Sequence, residues 1–400
     1  MSDAALVEDR EERRRFNESF RPDRYDALLS DLDRMTSAPP GFRVCETPVF
    51  LSVEFSRVLE SAAEELVGLL RTPGFKVHAA SAIPPGHSVP NPTEHTLFLQ
   101  IDFAVARLPD GTYEPRLVEL QGFPSLYCYQ VLLDDAFRTN FGIGDEWTPY
   151  FGGLNRSAYL ETLKQAIVGN ADPAEVVLLE IEPEKQKTRI DFGATFDFFG
   201  VRSVDVSAVK RRGKRLFYHW EGKEIPIRRI YNRVIFDELE KKKPPMEFRF
   251  QDDLDVAWVG HPNWYYWISK HSLPFLKSRF VPESRLVAEY SSFPPDLENY
   301  VLKPLYSFAG GGVTVDVKAE DLKTLKHPDQ FILQRKIEYI PFVETPDEAS
   351  KAEIRMMYLW DDRPRLVNNL VRMSKGAMMG VDFNKNKTWI GSSIAYHRRS

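Results

Sequence analysis

The chain has 400 residues, 43% of them hydrophobic and 28% charged, and a net charge of −5. That length implies two or three packed units rather than one core, and the mild acidity gives no drive toward nucleic acid or a membrane surface. No run approaches the ~18 apolar residues of a membrane span, the acidic start does not read as a signal peptide, and two cysteines, Cys45 and Cys128, exclude a disulfide framework and fit a reducing cytoplasm.

Residues 1–95 read as an N-terminal helical segment. Residues 1–37 are charged and helix-prone. Leu51, Phe55, Val58, Leu59, Ala62, Leu66 and Leu70 recur near a 3.6 period, which predicts an amphipathic helix over Phe50–Leu70. Residues 96–154 open with a predicted β-hairpin. Thr96–Ala106 is one strand, Pro109-Asp110-Gly111 the turn and Arg116–Leu120 the return. Asp102 interrupts an otherwise apolar strand, and Glu119 and Gln121 point to one face of its partner. A carboxylate there lies at an edge, pairs with a base or holds a cation. Three oxygen-bearing side chains on one hairpin suit Mg²⁺.

Residues 155–242 read as an α/β unit. Glu175–Ile181 is a buried-type strand, Glu184–Phe199 a helix stopped by Gly200, and Val201–Val206 a second strand. Arg215–Trp220 and Ile225–Val234 are expected to continue the sheet. Tyr231 and Arg233 alternate onto one face at a strand end, where binding groups commonly sit. A Lys/Pro-rich break at Glu240–Pro245 opens the last unit, 243–400. Lys270 lies in a strongly apolar stretch ahead of a predicted helix, His271–Phe280. An unpaired lysine there is costly, so it is expected to reach an anion or an open cleft.

Tyr300–Leu302 and Val313–Val317 flank Pro304 and three glycines, Gly310, Gly311 and Gly312, and predict a hairpin with a long glycine loop. Glycine loses the most entropy on ordering. Three in a row fit a backbone that closes on phosphate, with Lys303 over the same anion. A long turn with a surface lysine is the other reading. Phe331–Ile337 and Ala352–Leu359 are further strands, the latter with Glu353 and Arg355 on one face. Arg365–Lys375 carries Arg372 and Lys375 near its end, followed by glycine turns at Gly376 and Gly380. The chain holds no Walker-type Gly-x-x-x-x-Gly-Lys-Ser/Thr, no His-Glu-x-x-His and no Gly-x-Ser-x-Gly. Lys270, Lys303, Arg355 and Arg372, set against two acids and a glycine loop, form the inventory of an ATP-using transferase or ligase.

These stretches resemble the ATP-grasp superfamily. Val301-Leu-Lys-Pro-Leu with Gly310–Val313 is similar to its lysine-plus-glycine lid. Lys270 in Ser-Lys-His-Ser-Leu is similar to its first ATP lysine, and Phe331-Ile-Leu-Gln-Arg-Lys-Ile337 to its interdomain hinge. The family's metal-binding Glu-x-Asn follows these elements. Here the matching piece, Leu97–Asp102 through Leu117–Pro124, precedes them, an order similar to the circularly permuted branch that includes eukaryotic-type glutathione synthetase and glutathionylspermidine synthetase-like ligases. Gln121 stands at the usual asparagine, and Ser307 where that branch carries a glutamate.

The resemblance implies an α/β (α+β) chain with a circularly permuted ATP-grasp fold and a Rossmann-like substrate domain over 155–242. It implies ATP held by Lys270, Lys303, Gly310, Gly311, Gly312 and Lys375, the adenine edge against the backbone of Gln334, Lys336 and Ile337, and the ribose near Glu338. Mg²⁺ would lie on Asp102, Glu119 and Gln121, with Arg372 and Arg233 neutralising an acylphosphate. The expected activity is ATP-dependent amide formation between a small carboxylate and an amine. A non-catalytic ATP-binding module and phosphoryl transfer to an alcohol are the alternatives. A homodimer is left open.

Overall fold

The computed structural model describes residues 7–108, 110–306, 311–376, 379 and 384–399. Its centre is a five-stranded antiparallel sheet of β1 (Phe98–Arg107), β2 (Tyr113–Gln121), β3 (Lys351–Trp360), β4 (Pro364–Ser374) and β5 (Gly391–Ser393), in the order β5-β4-β3-β1-β2. Strands far apart in the chain thus form one surface. Alternation sorts its two faces. Leu99, Ile101, Phe103, Ile354, Met356, Val371 and Met373 lie in one buried cluster with Leu59, Ala62 and Leu66 of the helix Val53–Leu70. The Ser52 hydroxyl caps that helix by accepting from the Phe55 N–H at 3.0 Å. The expected helix therefore forms, beginning after its cap rather than at Phe50.

The second layer is a four-stranded parallel sheet in the order Ala257–Val259, Arg229–Asn232, Val176–Glu180, Arg202–Asp205. The helix before Gly200 runs only over Arg189–Phe199, because Pro183–Lys185 forms a separate 3₁₀ turn. Gly200, at φ 74°, ends it in the left-handed region. Arg215–Trp220 does not join this sheet, contrary to the expected continuation. It forms a separate antiparallel meander with Lys210–Arg212 and Lys223–Ile227. Glu221 and Gly222, both with positive φ, make the tight turn that folds this strand back on the next.

A third sheet pairs Tyr300–Pro304 with Phe331–Arg335 and that strand with Ser284–Leu286. The expected hairpin of Tyr300–Leu302 with Val313–Val317 is reduced to one bridge, Leu302 with Thr314. The partner that wins is the apolar run Phe331–Arg335, which pairs along five residues. The segment after Lys270 is a 3₁₀ helix, Lys270–Phe275, rather than an α-helix to Phe280. Pro274 inside it cannot extend an α-helical ladder. No described helix is long and apolar enough to cross a membrane.

Leu66 is fully buried between the helix and the central sheet. Leu66→Ala is expected to cost about 2–5 kcal/mol, read as a lower urea midpoint at unchanged slope.

Candidate functional site

The register of the central sheet builds a charged face opposite its apolar one. Arg355 lies directly across from Asp102, Asp102 from Glu119, Glu353 from Arg372, and Gln100 from Gln121. Directly opposed residues share a face, so seven polar side chains meet there. Asp102 is wholly buried. Arg355 forks onto both its oxygens, at 2.6 and 2.7 Å, and gives a further N–H to Gln100 Oε1 at 2.8 Å. Arg372 also donates to Asp102 and lies 3.2 Å from Glu353. The Tyr339 hydroxyl donates to Glu353. Gln121 Nε2 donates to Glu119 at 2.7 Å, and Gln121 Oε1 is buried with no partner among the described residues.

Lys270 Nζ lies 3.5 Å from Glu119, and the nearest nitrogens of Arg355 and Arg372 lie at 4.0 Å. Burial pulls the Glu119 carboxyl upward, but Lys270, Arg372, Arg355 and Lys303 outweigh it and hold it at about 2. Burial likewise raises the Glu353 carboxyl, against the opposing pull of Arg372.

Two glycine-free segments and one glycine bring the lysines to this face. Gly122 N–H donates to Ile268 O at 3.3 Å, and a Cβ on Gly122 would collide with the Trp264 carbonyl. Only glycine therefore lets the end of β2 lie flush against the Trp264–Trp267 turn that leads into Lys270. Lys303 comes from the third sheet. Its pairing puts Lys303, Val301, Ile332 and Gln334 on one face, while Tyr300, Leu302 and Leu333 form a small core on the other. A β-bulge displaces Val118 from the β1–β2 register, and Lys303 Nζ donates to its carbonyl at 3.3 Å. Burial pushes the Lys303 ammonium down to about 8, with Glu119 opposing and Lys270 reinforcing the drop. The Gln334 amide nitrogen is buried without a partner among the described residues. A small open cleft lies here, lined by Glu119, Gln121, Phe123, Lys270, Leu305 and Tyr306 among others.

The structure thus brings together Asp102, Glu119, Gln121, Lys270, Lys303 and Arg372, with Gln334 on the Lys303 face. Arg233 is elsewhere. It is buried at the end of the parallel sheet, donating to Pro124 O and facing Glu180 and Asp191, and Tyr231 beside it is core packed on Phe98. Lys375 follows the last residue of β4 and pairs with Asp347 and Thr345. The Lys336 N–H is taken up by Asn299 O and its ammonium by Glu298 O. Ile337 is half-buried and Glu338 exposed. Gly311 is exposed, and Gly312, at φ 72°, lies against Pro304. Gly310, Ser307, Pro109 and Gly380 lie outside the described residues. Gln100 and Tyr339 had no role in the sequence reading. Gln100 was legible as the residue two before Asp102 on the same strand. Tyr339 carried no comparable signal.

The donor set does not fit a divalent cation held by Asp102, Glu119 and Gln121. Both Asp102 oxygens are occupied by guanidinium groups, and Glu119 is ringed by cations. Among the described residues no group of three or more His, Cys, Asp or Glu side chains is arranged to hold a metal. Glu119 and the Gln121 oxygen remain as two oxygen donors.

No protein-family model matches the chain, and no curated protein matches it. Among solved structures, a glutathione synthetase-like effector from Globodera pallida, in its apo form, superposes on 94% of this chain and 97% of its own with a TM-score of 0.56. The two chains share a fold. Their sequences are 12% identical.

Gly122→Ala is expected to cost roughly 1–3 kcal/mol through the forced separation of β2 from Trp264. Gly74→Ala, where nothing stands within 4 Å of the added carbon, serves as the control and leaves the denaturation midpoint unchanged or higher.

Proposed function

We propose that the cleft binds ATP and that the protein is an ATP-grasp-type ligase of the circularly permuted branch, joining a small carboxylate to an amine. The observation that carries this reading is the convergence of Lys270, which lines the cleft, and Lys303, from a separate element, on the β2 strand. Two ammonium groups beside a part-exposed guanidinium, Arg372, suit a polyphosphate. The buried Gln334 amide, on the Lys303 face, supplies a donor for the base. The shared fold with a glutathione synthetase-like protein is consistent with this reading.

In this reading a substrate carboxylate oxygen attacks the γ-phosphorus and ADP leaves with the β–γ bridging oxygen. The amine then adds to the acyl carbon, inorganic phosphate departs, and the amine proton passes to solvent or phosphate. Lys270 and Lys303 hold the phosphates, and Arg372 faces the transferred group. Catalysis of this kind is positioning and charge neutralisation, with no side-chain nucleophile. No step is assigned to Mg²⁺, since Asp102 is closed by its arginines. The parallel sheet, with Arg233 sealed at the end of one of its inner strands, would carry the second substrate.

The closure of Asp102 favours a second reading, a module that binds ATP without turning it over. Calorimetric titration with ATP, followed by an ADP-release screen against amino acids and small peptides, separates the two. ADP release with amide product supports the ligase. Binding without release supports the module, and a phosphorylated alcohol as product would point to a kinase. No ATP binding overturns all three.

Lys303→Ala is expected to weaken ATP binding by about 1.5–3 kcal/mol, the worth of a hydrogen bond to a charged group. The pH profile adds a sign. The Lys303 ammonium is charged below about 8 and neutral above it, so ATP affinity falls as pH rises through that value. Lys303→Arg keeps its charge and flattens the profile.

A further inference from the structure

We infer that Arg355 stands in this protein where a divalent cation would otherwise sit beside Asp102, so that the cleft binds a nucleoside polyphosphate without metal. The inference rests on the ATP-binding reading and adds to it the nature of the positive charge.

Arg355 is held from three directions. Its backbone lies directly opposite Asp102 in the sheet, its fork closes on both Asp102 oxygens, and its remaining nitrogen bonds Gln100 Oε1 at 2.8 Å. The side chain is only 7% exposed. A metal on Asp102 would have to evict this guanidinium from both its hydrogen bonds to a carboxylate, leaving it buried with the Gln100 amide and, at 4.0 Å, Glu119. Eviction therefore exchanges one cation for another and gives up the better-paired position of the first. The surroundings agree. Lys270, Lys303, Arg355 and Arg372 face Asp102, Glu119 and Glu353, so the cluster carries four basic against three acidic groups. The excess is positive before any ion arrives. A metal entering alone would meet repulsion, whereas a polyphosphate would meet attraction. Arg372, with a side chain 36% exposed, is the guanidinium that the polyphosphate can reach. Arg355 lies beneath it and keeps Asp102 neutralised.

The test uses the full chain. ATP and tripolyphosphate are titrated calorimetrically in excess EDTA and again in excess Mg²⁺. The expected dissociation constants differ by no more than a few-fold. A loss of tenfold or more in EDTA overturns the inference. Mn²⁺ titration of the nucleotide-free protein, followed by the electron paramagnetic resonance of free Mn²⁺, supplies an arm that needs no variant. The free signal is expected to persist undiminished, and Mn²⁺ binding at the protein overturns the inference. Arg355→Gly removes the fork and leaves Asp102 to Arg372 alone, and is expected to gain Mn²⁺ binding and a metal requirement for ATP. Where that variant does not fold, Arg355→Met, which fills much of the same space without a charge, gives the same comparison. If ATP binds in neither condition, the nucleotide reading fails, while the Mn²⁺ arm on the wild-type chain still decides what closes Asp102.

Discussion

A carboxylate with no exposed surface must be paired, and Asp102 is paired twice. That requirement organises the middle of the molecule. The Arg355 fork sets the register of β1 against β3, because a one-residue slip would carry both charges into the apolar cluster on the opposite face. Arg372 extends the same neutralisation to β4 and to Glu353, which in turn accepts from Tyr339. The charged face is thus a continuous chain of donors and acceptors across four strands. Removing one partner would leave a buried charge unpaired, which costs more than the intact pair contributes.

The rest of the site is attached to that face by short-range geometry. Gly122 lets the Trp264 turn lie against β2, and the bulge at Val118 turns a carbonyl toward Lys303. Both lysines therefore owe their positions to local features of a single strand. A second group of buried charges performs a structural task. Asp191 accepts from the N–H groups of Leu126, Cys128 and Tyr129, at the start of the helix Tyr129–Phe141, and Arg233 balances it. The positive end of the helix favours that carboxylate, so Asp191, from the helix Arg189–Phe199, and Arg233, from the end of the parallel sheet, together hold the loop that leaves the central sheet.

Local order was legible in the sequence wherever one period or one turn decided it. The helix Val53–Leu70 followed from its apolar spacing, and the β1–β2 hairpin from Pro-Asp-Gly between apolar runs. A carboxylate inside an apolar strand marked Asp102, with Glu119 on the partner strand; Arg372 was marked by its place near a strand end, and Lys270 by the apolar stretch around it. Long-range choices were not legible. Nothing near Tyr300–Pro304 says that its partner is Phe331–Arg335 rather than the closer Val313–Val317. Lys375 resembled a site residue by its neighbours, yet its partner Asp347 lies on a loop before the preceding strand. Arg233 and Tyr231 alternate as a strand end should, but segment 122–128 covers them, and that cover is a tertiary fact. Pro274 was visible and argued against the long helix that was expected there.

The segment 336–340 runs from the third sheet to the central one, and it is tethered at both ends. The Lys336 N–H bonds Asn299 O on the side of the third sheet, and the Ile340 N–H bonds Val105 O on β1. Between them Tyr339 reaches Glu353. The joint thus links the two sheets by backbone at two points and by one side chain between them, and that side chain leads through Glu353 to Arg372. The same residues that seat the small sheet are therefore part of the charge balance of the large one.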